Sequence, residues 1–418
     1  MSKRGNLERG QSLVILALGV VGLLGGAALA IDGGMIYAHR RRAQIAADTA
    51  ALAAALAKTQ GVDFVLAALN RAESNGFDDA DPLTTVSVFN PPVIEPYKSD
   101  TDANQYIQVQ ITGQVNTAFL HFVFKGPVRN TVDAIARARP PVNLADGYAL
   151  FGTSLTECDA LSFGGNGKIK LAGGDAFSNS DGTAKVGSCS SGTRSGSGTV
   201  VLSGQTLLLV GDFVDSGTGG GVLNSEAGGS PKISEYVPQQ QMPIMPVVPC
   251  PSTAKEPPLN INKSTTLSPG NYTSISVKAG AALTLNPGIY CMDGDFSGTG
   301  GSITGAGVLI KMLQGSFDLG GNSSVNLAAP TSGDWAGLLV YGEPATSLIK
   351  LTGGSGSAYV GTIYAPQTQC EIRGGSGTLA VNSQLICRTI QVVGDGTVDI
   401  TYDPDQNYRL PTTLELAK

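Results

Sequence analysis

Two short acidic pairs, Asp293-Gly294-Asp295 and Asp403-Pro404-Asp405, place carboxylates close enough to share a hard cation. Each pair brings two acids without the further oxygen ligands of a local Ca²⁺ loop, so turn formation by aspartate is the stronger reading. Histidine chemistry has little to work with. Of the two histidines, His39 stands in a basic cluster and His121 in the apolar piece 119–124, which leaves no His-dependent triad and no His metal site. Asp318, Asp334, Glu343 and Glu371 are scattered rather than gathered at one spacing, as a polysaccharide lyase or hydrolase would need. No Gly-x-Ser-x-Gly elbow, Walker A loop or Asp-x-Ser-x-Ser adhesion motif occurs. The sequence therefore predicts no catalytic residue, no metal and no cofactor. What remains is cysteine: Cys158, Cys189, Cys250, Cys291, Cys370 and Cys387, an even number with no C-x-x-C pair, which reads as disulfides in exported protein.

The elements that position these residues begin with an uncharged run at 13–31. A helix of that length covers ~28 Å at ~1.5 Å per residue, close to the ~30 Å of a bilayer core. Asp32-Gly33-Gly34, the basic cluster 39–42 and the alanine-rich 43–56 follow, so the helix is expected to continue outward as a stalk, and the span reads as an uncleaved anchor rather than a signal peptide. Gly22 with Gly26, and Ala30 with Gly34, are small-x-x-x-small pairs and form the expected face for helix packing in the membrane. Asp32, at the outer edge of the run, reads as an interfacial acid reaching water. The cluster 39–42 reads as a lipid-headgroup anchor.

Gly10-Gln11-Ser12-Leu13, then Ala30-Ile31-Asp32-Gly33-Gly34, then Arg40-Arg41-Arg42-Ala43-Gln44-Ile45-Ala46-Ala47-Asp48 resembles the N-terminal segment of TadE/TadG-like proteins of the Flp (tight-adherence) pilus system. The resemblance covers roughly the first 60 residues. It implies a pilin-like assembly or surface protein that crosses the cytoplasmic membrane once, N-terminus inside and bulk outside, sitting in the membrane or in a pilus. Its partners would be membrane lipid and the Tad/Flp machinery or pilin subunits, with self-association and an extracellular surface or polysaccharide ligand as further expectations. Ile15 departs from type IV prepilins, which carry Glu five residues after the cleaved Gly, so prepilin-peptidase processing is not implied. Lys3, Arg4 and Arg9 before the span balance Arg40, Arg41 and Arg42 after it, so counting positives does not orient the chain. The cysteines, all beyond the span, place the bulk outside.

A net charge of −6 and only 27 Lys and Arg in 418 residues argue against a nucleic-acid partner. With 56 Gly and 14% charged residues, the chain has a composition of tight turns and packed strands. Residues 1–60 are expected to form the transmembrane helix and stalk, and 61–141 a small pilin-like α+β module: a helix at 62–73, then strands around Val86, Ile107–Ile111 and 128–136. From 142 to about 410 the texture changes to short β runs between glycine clusters. Gly164-Gly165-Asn166-Gly167, Gly374-Gly375-Ser376-Gly377 and Gly394-Asp395-Gly396 each precede alternating apolar positions, and Leu267-Ser-Pro-Gly-Asn-Tyr272 returns as Leu285-Asn-Pro-Gly-Ile-Tyr290. Such spacings predict a right-handed parallel β-helix, or solenoid, making the fold class mixed. Gly361-Thr-Ile-Tyr-Ala-Pro366 and Val398-Asp-Ile-Thr-Tyr-Asp403 also resemble glycine-rich β-helical domains that accompany pilus-type N-termini in bacterial surface proteins. The segment at about 217–258 carries a glycine run and dense proline, and is expected to be an extended loop along the flank, pinned by Cys250.

Residues one coil apart fall within disulfide reach, so Cys370–Cys387 is the first expected bridge; sequence order then favours Cys158–Cys189 and Cys250–Cys291 among fifteen possible connectivities. The functional expectation is a non-enzymatic, membrane-anchored or pilus-incorporated protein presenting a β-solenoid for adhesion or pilus assembly. The alternative is an anchored carbohydrate-active β-helix enzyme.

Overall fold

The computed structural model describes residues 8–120, 124–184, 189–218, 223–224, 232–320, 323–353 and 356–418. It divides into two compact units, Met1–Pro141 with Pro411–Lys418, and Val142–Leu410.

In the first unit, helix α1 runs unbroken through Glu8–Thr59, across Gly33 and Gly34. Its 52 residues carry no proline. Its two halves differ in what surrounds them. Residues 13–31 are apolar and exposed on nearly every side, whereas Ala43, Ala46, Ala47, Ala50, Ala51 and Ala54 are fully buried. The three- and four-residue spacing of these alanines puts them on one helical face, and their small side chains let the axis come close to a sheet. The alanine-rich half is thus packed against the module's sheet rather than standing free as a stalk. Helix α2, Phe64–Ser74, starts where the Asp63 carboxylate accepts the N–H groups of Val65 (2.9 Å) and Leu66 (3.1 Å). It buries Ala68 and Ala72.

Strands β1 (Thr84–Phe89), β2 (Tyr106–Val115) and β3 (Val128–Arg139) form an antiparallel sheet, and the C-terminal strand Thr413–Leu416 adds beside β3. Ile107, Val109 and Ile111 lie opposite Ala136, Ala134 and Val132, and this period-two set is the face that meets α1. His39 takes part in the same packing. Its ring lies edge-on to Phe77 at 5.5 Å, and a Cβ at Gly113 would stand 2.7 Å from His39 Cε1. His39 is thus set apart from its basic neighbours Arg40, Arg41 and Arg42, which are exposed.

The second unit is mostly β, built on a ten-stranded and a seventeen-stranded sheet whose pairings are parallel. Successive partners lie roughly twenty residues apart: Leu283 beside Ile303, and Ile303 beside Val325. In the other sheet Ile275, Phe296, Phe317, Ile349, Cys370, Ile390 and Leu161 form one ladder, each in register with the next. All seven are at most 1% exposed. At ~1.5–3 kcal/mol for each buried Ile, Leu or Phe, this column contributes a large share of the unit's stability.

The last step of that ladder, Ile390 to Leu161, reverses chain order. Strand Thr397–Thr401 likewise pairs with Lys168–Ala172, so the earlier run of strands stacks after the later one. Residues 240–253 make the connection back. Going up the chain, Gln240 bonds Asn179, Pro243 O accepts from Tyr364, Val248 O accepts from Lys311, Cys250 joins Cys291, and Pro251 O accepts from Asn271. These anchors descend the stack in order. Proline, which cannot donate to a ladder, suits a segment that crosses strands instead of joining them. Met245 and Val248 face inward and are buried, while Ile244 and Val247 are exposed.

Candidate functional site

Asp32 is where the long apolar helix meets the module. The residue is 3% exposed, and its carboxylate accepts from three successive backbone N–H groups: Ala118 at 2.6 Å, Phe119 at 3.2 and 3.0 Å, and Leu120. The link between β2 and β3 is thereby tied to α1 immediately beyond the apolar run. This corrects the expectation that Asp32 reaches water: main-chain donors take the place of solvent. Sequence offered one pointer, an acid at the edge of an apolar span, and none to donors that every residue type carries. Hydrogen bonds to a charged group are worth about 1.5–3 kcal/mol each, and because Ala118 and Phe119 are exposed, water replaces part of what the carboxylate supplies when it is removed. Asp32→Ala is expected to lower the unfolding free energy by about 2–3 kcal/mol and to raise amide exchange at residues 118–120. Unchanged exchange there would count against the clasp.

On the apolar segment, Gly22, Gly26, Ala30 and Gly34 are all exposed, and a Cβ built at Gly22, Gly26 or Gly34 would touch nothing within 4 Å. The helix is long and apolar enough to cross a membrane within Leu13–Thr59.

Three disulfides join Cys158 to Cys189, Cys250 to Cys291 and Cys370 to Cys387, with Cα separations of 5.3, 5.9 and 5.9 Å. Around the returning segment, Lys311 is 5% exposed and pairs with Glu343 at 2.8 Å. Burial raises the hydroxyl pKa of Tyr341 and Tyr364, with the Glu343 charge adding at Tyr341. Tyr364 therefore stays protonated at neutral pH and keeps donating to Pro243 O at 2.9 Å.

Of the acids weighed for chemistry, all but the exposed Asp334 have separate partners. Asp293 pairs with Lys255, and Asp295 accepts from Ser316 N at 2.8 Å. Asp403 accepts from Asp405 N at 2.9 Å, and Asp405 pairs with Arg409 at 2.8 Å. Asp318 pairs with Lys350 at 3.2 Å and Glu371 with Arg373. Among the described residues no three His, Cys, Asp or Glu gather as a metal site. His121 lies outside the described residues.

Comparison with known proteins bears on both units. Residues 10–57 match the Flp pilus-assembly TadE/G-like family model, and residues 259–407 match a domain of unknown function, DUF7305. No curated protein and no solved structure matches the chain. The N-terminal segment is thus similar to a TadE/G-like domain of Flp pilus assembly, a likeness confined to these 48 residues. The second match begins at Leu259, whose strand pairs in parallel with Ile275–Val277.

Proposed function

We propose that this protein is a non-enzymatic, single-pass surface component of an Flp-type pilus system, with its N-terminus in the cytoplasm and its bulk outside, and that residues 142–410 form a right-handed β-solenoid presented for adhesion or assembly. The observation that carries this reading is the TadE/G-like match on a helix whose apolar half is exposed and whose alanine half is packed. The disulfides support export, because such bonds persist in oxidising compartments. Parallel pairing at roughly twenty-residue intervals supports the solenoid. The separate engagement of the acids favours a structural protein over the carbohydrate-active alternative.

Cysteine-accessibility scanning on intact cells tests the topology: sites beyond Thr59 should label and the first eight residues should be protected, and the reverse pattern overturns the orientation. Gly22 and Gly26 provide a test of assembly. Close approach of a second helix needs small residues at both positions. The double variant Gly22→Ile, Gly26→Ile should keep its disulfides and membrane fractionation yet co-purify with sheared pili at least ~5-fold less, a loss of about 1 kcal/mol of helix association. Undiminished co-purification would remove these glycines from the interface.

A further inference from the structure

Where the earlier strand run stacks on the later one, the seventeen-stranded sheet carries a cleft of 650 Å³. Its floor comes from strands Leu161–Gly165, Gly192–Arg194, Thr362–Gly374 and Leu385–Gly394. Gln391 is level with Ser162, and Ser162 with Thr193, so three polar side chains stand in one row across three strands. Gln369 and Thr389 make a second, parallel row. These residues are half-buried and alternate with fully buried Leu161 and Ile390, which places the polar set on the outer face.

One wall is held in place before any ligand arrives. The Cys158–Cys189 bridge closes it, Glu157 pairs with Arg388 at 3.2 Å, and Asp159 accepts from Ser190 Oγ at 2.9 Å. Asp159 itself adopts a left-handed backbone (φ 53°), which the backbone bond from its N–H to Ser190 O at 2.8 Å helps to fix. Rigid walls of this kind lower the ordering entropy of binding.

We infer that this cleft binds an uncharged, hydroxyl-rich oligosaccharide laid across the strands. The inference rests on the proposed exposure of this unit outside the cell. Hydroxyl and amide groups both donate and accept, which suits sugar hydroxyls that do the same. The charges decide the class of glycan. Arg388 is already matched by Glu157, leaving Asp159 as surplus negative charge, so a polyuronate or sulfated chain is repelled. Strand spacing of ~4.8 Å separates successive residues within each polar row by an interval close to that of consecutive sugar rings in an extended chain.

The test uses the full chain in detergent micelles, with neutral hexasaccharides of glucose and of mannose and an oligogalacturonate of equal length as probes, read by titration calorimetry. At least one neutral hexasaccharide should bind, and the oligogalacturonate should bind at least tenfold more weakly. Gln391→Ala with Thr193→Ala should weaken the neutral ligand about tenfold, and Ser162→Trp, which fills the cleft, should abolish binding. Both variants should keep the wild-type disulfide map and unfolding midpoint; if Ser162→Trp loses them, the alanine pair alone decides. No binding of any neutral probe at millimolar concentration, preference for the uronate, or undiminished binding by the alanine pair would each overturn the assignment. Pilus co-purification of the same variants, which should be unchanged, scores the assembly reading separately.

Discussion

Gly167→Ala should lower the stability of the β unit by about 3 kcal/mol, at the upper end for overpacking, because the added Cβ has nowhere to go. It would stand 1.9 Å from Gly396 O and 2.8 Å from Asp395 C, both backbone atoms that cannot rotate away. The neighbouring strands would have to separate, breaking the register of Lys168 with Thr397. Gly280→Ala is the control. Gly280 has φ +79° but open space around its Cβ position, so only the left-handed conformation of alanine costs energy, about 1–2 kcal/mol. The single tryptophan, Trp335, stacks on Tyr408 at 6.3 Å and supplies a fluorescence signal for urea unfolding. Equal midpoints for the two variants would contradict the stacking of the earlier run on the later one.

That experiment bears on the part of the fold that local pattern does not encode. Apolar alternation after glycine clusters is visible in the sequence at 168–171, 378–381 and 397–400, and all three segments are strands of the ten-stranded sheet. Their order is another matter. Any parallel edge strand offers the same ladder of N–H and C=O groups, so nothing within Lys168–Ala172 says that its neighbours are Thr199–Ser203 on one side and Thr397–Thr401 on the other. The choice is made by a distant segment, 240–253, that carries the chain from one end of the stack to the other. Its proline spacing is legible as an extended connector, whereas its direction depends on partners such as Lys311 and Asn179 that have no sequence mark. In the first unit the alanine run was legible as helix. Its burial was not, because alanine suits a free helix and a close-packed one equally well. The cleft was missed for a related reason: Gln391, Ser162 and Thr193 come from segments that sequence order keeps far apart.

Removing the bridge in Cys250→Ala, Cys291→Ala should have the largest effect, about 4 kcal/mol. The two residues are 41 apart in sequence, and closing a loop of that length restricts the unfolded chain by about that amount, against about 3 kcal/mol for the 17-residue separation of Cys370 and Cys387. Cys370 and Cys387 are fully buried in the core, so their truncation adds a packing loss that narrows the difference. Midpoints alone therefore separate the two pairs poorly, and local opening separates them well. Once Cys250 is free, residues 240–253 are held by hydrogen bonds from Tyr364, Lys311 and Asn271 and by the burial of Met245 and Val248. Opening this segment would leave the Lys311 ammonium with Glu343 but without Val248 O. Such an opening is local and involves few buried side chains, so it falls well below the global unfolding free energy. Limited proteolysis should cut the Cys250→Ala, Cys291→Ala variant first within 241–247, at a denaturant concentration where the Cys370→Ala, Cys387→Ala variant and the wild type are still whole there. Equal protection of that segment in all three proteins would mean that the bridge does not hold the returning chain against the stack.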